Sequence, residues 1–129
     1  MTQIITEPWI VDLFGAIDAM DAATMAKAFT EDGIFRFGNG EPVRGRQELE
    51  QAVAGFFTTI GGLSHEITGV WTGQWEGGEV TSVESDVTYT RRNGTVVGPL
   101  PASTTIRRRG DQIQDYRIFM DVSPVFAPV

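Results

Sequence analysis

The sequence predicts an α+β fold, in which N-terminal helices pack into a strongly curved, mostly antiparallel sheet that forms a cone with an internal pocket. Apolar residues recur at three- and four-residue spacing in the first half, and the period changes to alternation from Ser64 onward. Glycine-containing turn signals separate the alternating runs, which favours strands that are neighbours in the sheet. With 129 residues, the chain suits one domain over 1–129 with a substantial core.

Three helices are predicted in the first half. The first begins at Glu7-Pro8, where Thr6 can serve as the N-cap because its hydroxyl can accept a backbone hydrogen bond. Its expected buried stripe is Ile10, Leu13, Phe14 and Ile17. Asp21 caps a second, shorter helix, and a short strand follows at 34–37. The third helix follows Gly45, and its apolar side carries Leu49, Val53, Phe56 and Phe57.

Four longer strands are predicted in the second half, at 64–71, 80–90, 95–109 and 113–122. Asn93-Gly94 lies between the second and third of these runs and predicts a two-residue hairpin turn, because a primed turn needs positive φ at both positions. The four strands are therefore expected to form an antiparallel meander.

Composition excludes several classes of function. The net charge of −7 argues against nucleic acid as a partner, because such binding relies on a basic surface. Without cysteine there is no thiol chemistry, and with one histidine a zinc site would need carboxylates for its other ligands, so neither metal nor cofactor is expected. Acids within the first thirty residues argue against a signal peptide, and no apolar run approaches membrane-spanning length. A cytoplasmic location without a membrane partner is the expectation.

Three segments resemble the SnoaL-like branch of the nuclear transport factor 2 superfamily. They are Phe29-Thr30-Glu31-Asp32-Gly33-Ile34-Phe35 with Asp21 before it, Val43-Arg44-Gly45-Arg46-Gln47-Glu48-Leu49, and the stretch 110–121. The resemblance spans roughly residues 7–126. That branch includes polyketide cyclases, limonene epoxide hydrolase and ketosteroid isomerase. The resemblance therefore implies the cone fold and a pocket for an apolar, oxygenated small molecule.

The last strand supplies the main catalytic candidate. Side chains alternate along a strand, so Arg117, Phe119 and Asp121 share one face. The other face carries Tyr116, Ile118 and Met120. We expect the first face to line the pocket, with Asp121 as principal acid/base and Arg117 and Phe119 as ligand contacts. The resemblance implies the same role for Asp121, since the final-strand aspartate of this family often projects into the pocket.

A second acid is expected on the strand at 80–90. Asp86 matches a catalytic aspartate of limonene epoxide hydrolase, while Glu84 stands where that enzyme has an arginine. Two carboxylates facing one cavity repel, so one holds its proton and the pair can act as acid and base. Glu84 shares the face of Asp86 and is expected to contact the ligand, or to be the acid itself in place of Asp86. In the other interpretation, Asp86 and Asp121 form structural ion pairs with Arg117.

His65 is the only histidine and a candidate general base. If 64–71 is a regular strand, His65 and Trp71 share one face, which we expect to look into the cavity; a purely structural role is the alternative. Aromatic side chains are expected to line the pocket for the ligand. Those assigned to ligand binding are Phe14, Phe35, Phe37, Trp71 and Phe119.

These residues favour a small enzyme that acts by cofactor-free acid/base catalysis on an apolar oxygenated molecule, such as a polyketide, steroid-like compound or terpenoid. The alternative is a non-catalytic ligand-binding or accessory interaction domain of the same fold. Convergent titratable groups around a void would favour the enzyme. A homodimer through the outer sheet face is also expected, because the apolar side chains assigned to that face would otherwise be exposed. Those side chains are Val83, Val87, Tyr89, Tyr116, Ile118 and Met120.

Overall fold

The computed structural model describes residues 7–128 and has helices packed against one six-stranded sheet. The elements in chain order are α1 (Pro8–Asp18), α2 (Ala22–Lys27), β1 (Phe29–Phe37), β2 (Val43–Arg44), α3 (Arg46–Phe57), β3 (Gly62–Trp75), β4 (Gly78–Thr90), β5 (Val96–Arg109), β6 (Gln112–Phe119) and α4 (Ser123–Phe126). The predicted α+β class with a curved sheet is confirmed. Among the described residues, no helix is long and apolar enough to cross a membrane.

The strand order across the sheet is β2-β1-β6-β5-β4-β3. The strands β3 to β6 form the predicted antiparallel meander. The strand β1 pairs in parallel with β6, which places Phe35 opposite Tyr116 and Phe37 opposite Ile118. Residues from the two ends of the sequence therefore meet in the middle of the sheet.

The helices follow the predicted apolar spacing. The stripe on α1 is buried, as are three of the four residues predicted on α3; the fourth, Phe56, is half-buried. Asp21 caps α2 by accepting a hydrogen bond from the backbone N–H of Thr24 at 3.1 Å. Glu7 occupies the N-cap position of α1 and makes no side-chain cap there, while Thr6 lies outside the described residues.

The hairpin between β4 and β5 forms, but its turn differs from the prediction. The backbone N–H of Arg91 donates to the carbonyl oxygen of Thr95 at 2.8 Å, so three residues make the loop. Gly94 has a φ of 88°, whereas Asn93 does not have positive φ. Asn93 instead accepts a hydrogen bond from the backbone N–H of Thr95 through its side chain at 2.9 Å. A three-residue loop needs positive φ only at its last residue, which glycine supplies at no steric cost.

The predicted orientation of β4 and β6 is wrong: the apolar faces point inward. Tyr89 and Tyr116 are buried, while Arg117, Phe119 and Glu84 are exposed. A cone with helices on one side buries its concave face, so the apolar side chains belong there and the charged ones belong in water. The apolar residues that suggested a dimer contact lie inside, which removes that argument. The homodimer itself stays a prediction.

A β-bulge divides β3 into two parts. Odd-numbered side chains face the interior before the bulge, and even-numbered side chains face it after the bulge. Ile67 pairs with Ser85 and Gly69 pairs with Glu84, so Thr68 is an extra residue on β3. An extra residue reverses which side chains face inward after it. His65 consequently lines the interior, while Trp71 lies on the outer face with 59% of its surface exposed.

Candidate functional site

A cavity of about 220 Å³ opens between the concave face of the sheet and the helices. Its wall is mostly apolar and aromatic, with Phe35 and Phe37 from β1 and Ile118 and Met120 near the end of the chain. It is large enough for a small organic molecule rather than one trapped water. A concave apolar site with a few polar groups is the usual form of a small-molecule site.

His65 and Asp18 form a close pair at the cavity wall. The ring nitrogen Nδ1 of His65 lies 2.6 Å from Oδ1 of Asp18, and the backbone N–H of His65 donates to Oδ2 at 3.0 Å. The two side chains are 11% and 29% exposed. Asp18 is the last residue of α1, and the buried stripe of that helix fixes it against β3. The Phe14 ring makes a T-shaped contact with the imidazole, with the ring centroids 5.0 Å apart.

The hydrogen bond to Asp18 sets the tautomer of His65. A carboxylate can only accept hydrogen bonds, so in the neutral imidazole the proton lies on Nδ1. The lone pair then lies on Nε2 of a side chain that lines the cavity. The pair therefore presents an oriented base, and Asp18 can stabilise the imidazolium that forms when the base accepts a proton.

Two tyrosines line the same cavity as protonated donors. Burial, and secondly the negative charge of Asp18, raise the pKa of Tyr89 to about 12. Burial also raises the pKa of Tyr116, although a hydrogen bond from Thr104 acts in the opposite direction. Tyr89 Oη lies 3.6 Å from the thioether sulfur of Met120, which is a weak acceptor. The phenolic O–H of Tyr89 is therefore available to a ligand oxygen.

The structure places Asp121 away from the cavity, which contradicts the predicted position. Its side chain is exposed, and its Oδ1 accepts a hydrogen bond from the backbone N–H of Ser123 at 3.0 Å. Hydrogen bonding to Ser123 lowers the pKa of Asp121 below its ordinary value. Asp121 lies just past the end of β6 on its outer side, where the bond orders the start of α4. A carboxylate held in this way stabilises a local turn.

The other candidates that were predicted to line the cavity from β4 and β6 also lie on the outer face of the sheet. Glu84 and Asp86 alternate with buried residues on β4, so both point away from the cavity. Thr68 donates a hydrogen bond to the backbone oxygen of Glu84 at 3.2 Å. Arg117 donates through Nε and Nη2 to Asp115 at 2.9 and 3.1 Å, an ion pair on the outer side of β6. Phe119, like Trp71, is exposed on that side.

Four of the predicted residues do meet at the site. His65, Phe35 and Phe37 line the cavity, and Phe14 supports the His65 ring. The predictions missed Asp18, Tyr89, Tyr116 and Thr104 as site residues. One signal for Asp18 was present, because an acid in the last turn of a helix faces the negative end of the helix dipole and is unfavourable there without another partner.

Comparisons with known structures agree with this architecture. A protein from Catenulispora acidiphila with a ketosteroid isomerase-like fold, solved with trimethylamine, is 18% identical, with a TM-score of 0.78 over 94% of this chain and 91% of its own. A candidate SnoaL-like polyketide cyclase from Jannaschia is 18% identical, with a TM-score of 0.77 over 98% and 99% of the two chains. ActVI-ORFA from Streptomyces coelicolor is 15% identical, with a TM-score of 0.71 over 88% and 92%.

At these identities, the structures establish the fold alone. No curated protein matches the sequence closely enough to count as a relative. Among residues 7–128, no group of three or more histidine, cysteine or acidic side chains is arranged to hold a metal ion. Residues 10–116 match the SnoaL-like domain family. This match covers most of the sequence, so the chain belongs to the SnoaL-like family.

Proposed function

We propose that the protein is an enzyme that binds an apolar, oxygenated small molecule in the cavity and moves a proton at a carbon next to its carbonyl group. The observation that carries the proposal is the contact of 2.6 Å between His65 and Asp18 in the wall of a mostly apolar cavity. Isolated polar groups are costly in such surroundings, and a histidine paired with a carboxylate is a recurrent acid/base arrangement.

In the proposed step, Nε2 of His65 takes a proton from the carbon next to the carbonyl. The electron pair of the C–H bond forms a carbon–carbon double bond, and the carbonyl electrons move to the oxygen to give an enolate. The imidazolium is stabilised by Asp18, and the oxygen is stabilised by the O–H group of Tyr89 or Tyr116. The raised pKa of Tyr89, about 12, supports the donor role because the phenol keeps its proton at neutral pH.

The fate of the enolate defines the reaction type. In a β,γ-unsaturated ketone, return of the proton from the imidazolium to the γ-carbon gives isomerisation. Attack of the enolate carbon on a second carbonyl gives ring closure, with the proton returned to the new alkoxide. Loss of a hydroxyl group from the β-carbon as water, with the proton supplied by the imidazolium, gives dehydration. All three begin with the same proton transfer, and none requires a redox cofactor. The family membership supports small-molecule binding, and the His65–Asp18 pair adds the acid/base chemistry.

Deuterium exchange tests the common first step without knowledge of the natural substrate. Neutral cyclic ketones are incubated with the protein in D₂O, and loss of the proton signal next to the carbonyl is followed by NMR. We expect exchange faster than in buffer, and we expect Ala52→Trp to suppress it, because Ala52 lies on α3 at the cavity and is exposed enough to accept a larger side chain.

A ketone that binds without any acceleration of exchange would contradict the proposal. That result would support the alternative, in which the cavity is a non-catalytic ligand site. Circular dichroism of the Ala52→Trp protein checks that suppression reflects a blocked cavity rather than loss of folding.

A further inference from the structure

The charge of the cavity wall restricts which ligands the proposed site can accept. Apart from the two phenols, the ionisable side chains that line the cavity are Glu41 and His65, and Asp18 stands behind His65. Neither lysine nor arginine is among the lining residues in the described part of the chain. An anionic ligand would therefore lose its hydration without gaining a cationic partner, which is costly.

Several arginines lie close in sequence to lining residues but are engaged elsewhere. The guanidinium group of each arginine donates a hydrogen bond to a protein oxygen, either away from the cavity or at the cavity rim. The pairs are Arg36 with the carbonyl of Gly40 at 3.0 Å, Arg46 with that of Phe29 at 3.1 Å, Arg91 with that of Val125 at 2.9 Å, and Arg117 with Asp115 at 2.9 Å. None of these four arginines is among the lining residues.

Protonation of His65 does not supply the missing positive charge. An imidazolium at this position faces the carboxylate of Asp18 at 2.6 Å, so the pair is neutral overall. With neutral imidazole the pair carries one negative charge. In either state, the site has no net positive charge to offer a ligand.

Glu41 lies at the rim of the cavity, on the loop that joins β1 to β2. Hydrogen bonds hold this loop: the backbone N–H of Gly38 donates to the carbonyl of Ile118 at 2.9 Å, that of Gly40 donates to the carbonyl of Phe37 at 3.0 Å, and the carbonyl of Gly40 accepts from the guanidinium of Arg36. The aromatic rings of Phe37 and Phe56 also line the cavity, with centroids 5.3 Å apart. Carboxylates and the faces of aromatic rings both attract cations.

We propose that Glu41 is a specificity-determining residue, and that the site selects apolar ligands bearing a protonated amine over neutral ligands and rejects carboxylates. The inference rests on the proposed ligand site and goes beyond it in naming the charge of the ligand. Glu41 is exposed to solvent, so its individual contribution is that of a partly screened charge.

Binding of three probes of matched shape tests the inference: naphthylmethylamine, naphthylmethanol and naphthalenecarboxylate, titrated calorimetrically at neutral pH. We expect the amine to bind about threefold more tightly than the alcohol, as befits an exposed charge pair. We expect the carboxylate to bind at least about tenfold more weakly than the alcohol, because it finds no partner. Glu41→Gln should reduce the preference for the amine and leave the alcohol unchanged.

Glu48→Gln is the matched control, since Glu48 is an exposed acid in the first turn of α3 and does not line the cavity. It should leave all three affinities unchanged. The inference is overturned if no probe binds, if the carboxylate binds as well as the alcohol, or if Glu41→Gln leaves the preference for the amine undiminished. If the protein accelerates deuterium exchange of ketones but shows no preference among the three charged and neutral probes, this inference alone fails. If the protein prefers the amine but does not accelerate exchange, only the catalytic proposal fails.

Discussion

Asp18 and Asp121 show how differently the same side chain is held on the two sides of this sheet. Asp18 lies behind the cavity wall, where it contacts the ring and the backbone N–H of His65. Asp121 lies on the outer side, where its carboxylate is exposed and bonds to the N–H of Ser123 two residues along the chain. One aspartate orients a base, and the other orders a turn.

The difference shows that the hydrogen-bond partner of a carboxylate says more about its catalytic role than its position in a strand that resembles a catalytic one. Asp121 belongs to a segment that resembles a catalytic strand, whereas Asp18 ends a helix that shows only an ordinary amphipathic pattern. Acid/base chemistry in a mostly apolar cavity needs an oriented pair at its wall, and of these two aspartates Asp18 forms one with His65. Substitutions on the two sides should therefore have very different effects.

The largest effect is expected for His65→Gln, which removes the base and leaves an uncharged polar side chain. We expect ketone exchange to fall by about 10²–10⁴-fold, the contribution of a positioned proton-transfer group. Ligand affinity should change little, because most of the wall is apolar. NMR exchange rates and calorimetric titration on the same protein separate the two quantities. Exchange at the wild-type rate would mean that the base lies elsewhere.

A smaller loss, about 10²–10³-fold, is expected for Asp18→Asn, because the amide can donate to Nδ1 and favour the tautomer that carries its proton on Nε2. The readout specific to this positioning role is the ¹⁵N NMR spectrum of the imidazole, which should report a change of tautomer. The double variant with His65→Gln should be no slower than His65→Gln alone, since the two residues act as a unit. Additive losses would indicate a separate role for Asp18.

Tyr89→Phe should change the response of stability to alkaline pH. The folded-state pKa of Tyr89 is about 12 against an ordinary 10.0, so below pH 10 both states hold the proton and stability is constant. Above pH 10 the unfolded chain loses the proton first, and stability falls until about pH 12, by roughly 2–3 kcal/mol. The Tyr89→Phe variant lacks this contribution to the decrease in the free energy of unfolding. Urea unfolding at successive pH values measures the decrease in both proteins. Equal slopes in the two proteins would contradict the burial of a protonated phenol.

The smallest effect is expected for Asp121→Asn. An asparagine oxygen can still accept the hydrogen bond from Ser123, and the site is exposed, so neither ketone exchange nor thermal stability should change measurably. This is the direct test of the catalytic role suggested by the sequence. A loss of exchange comparable to that of His65→Gln would restore Asp121 as a catalytic residue and reverse the comparison between the two aspartates.

The elements were predictable because local patterns determine them. The stripe from Ile10 to Ile17 has helical spacing and packs as expected, and Asp21 caps α2 through a contact three residues away. The positions of the four long strands also followed from alternation and turn residues.

The site was harder to predict because it depends on parity and on contacts between distant residues. Alternation groups Tyr116 with Ile118 but does not say which group faces inward. The bulge at Thr68 separates Trp71 from the face that carries His65, and nothing in the local sequence marks it strongly. The contact between Asp18 and His65 joins residues 47 positions apart, beyond the reach of any local pattern.

The parallel pairing of β1 with β6 bears on the order in which the molecule can fold. Among residues 7–128, β1 pairs in the sheet with the two-residue β2 and with β6, a strand some eighty residues later, so its hydrogen bonds to β6 must wait until that strand has left the ribosome. Contacts between residues so far apart in the sequence slow folding, because the chain loses the entropy of loop closure before the contacts stabilise the structure. The part of the cavity wall that joins Phe35 to Tyr116 can therefore form only after both strands have been synthesised.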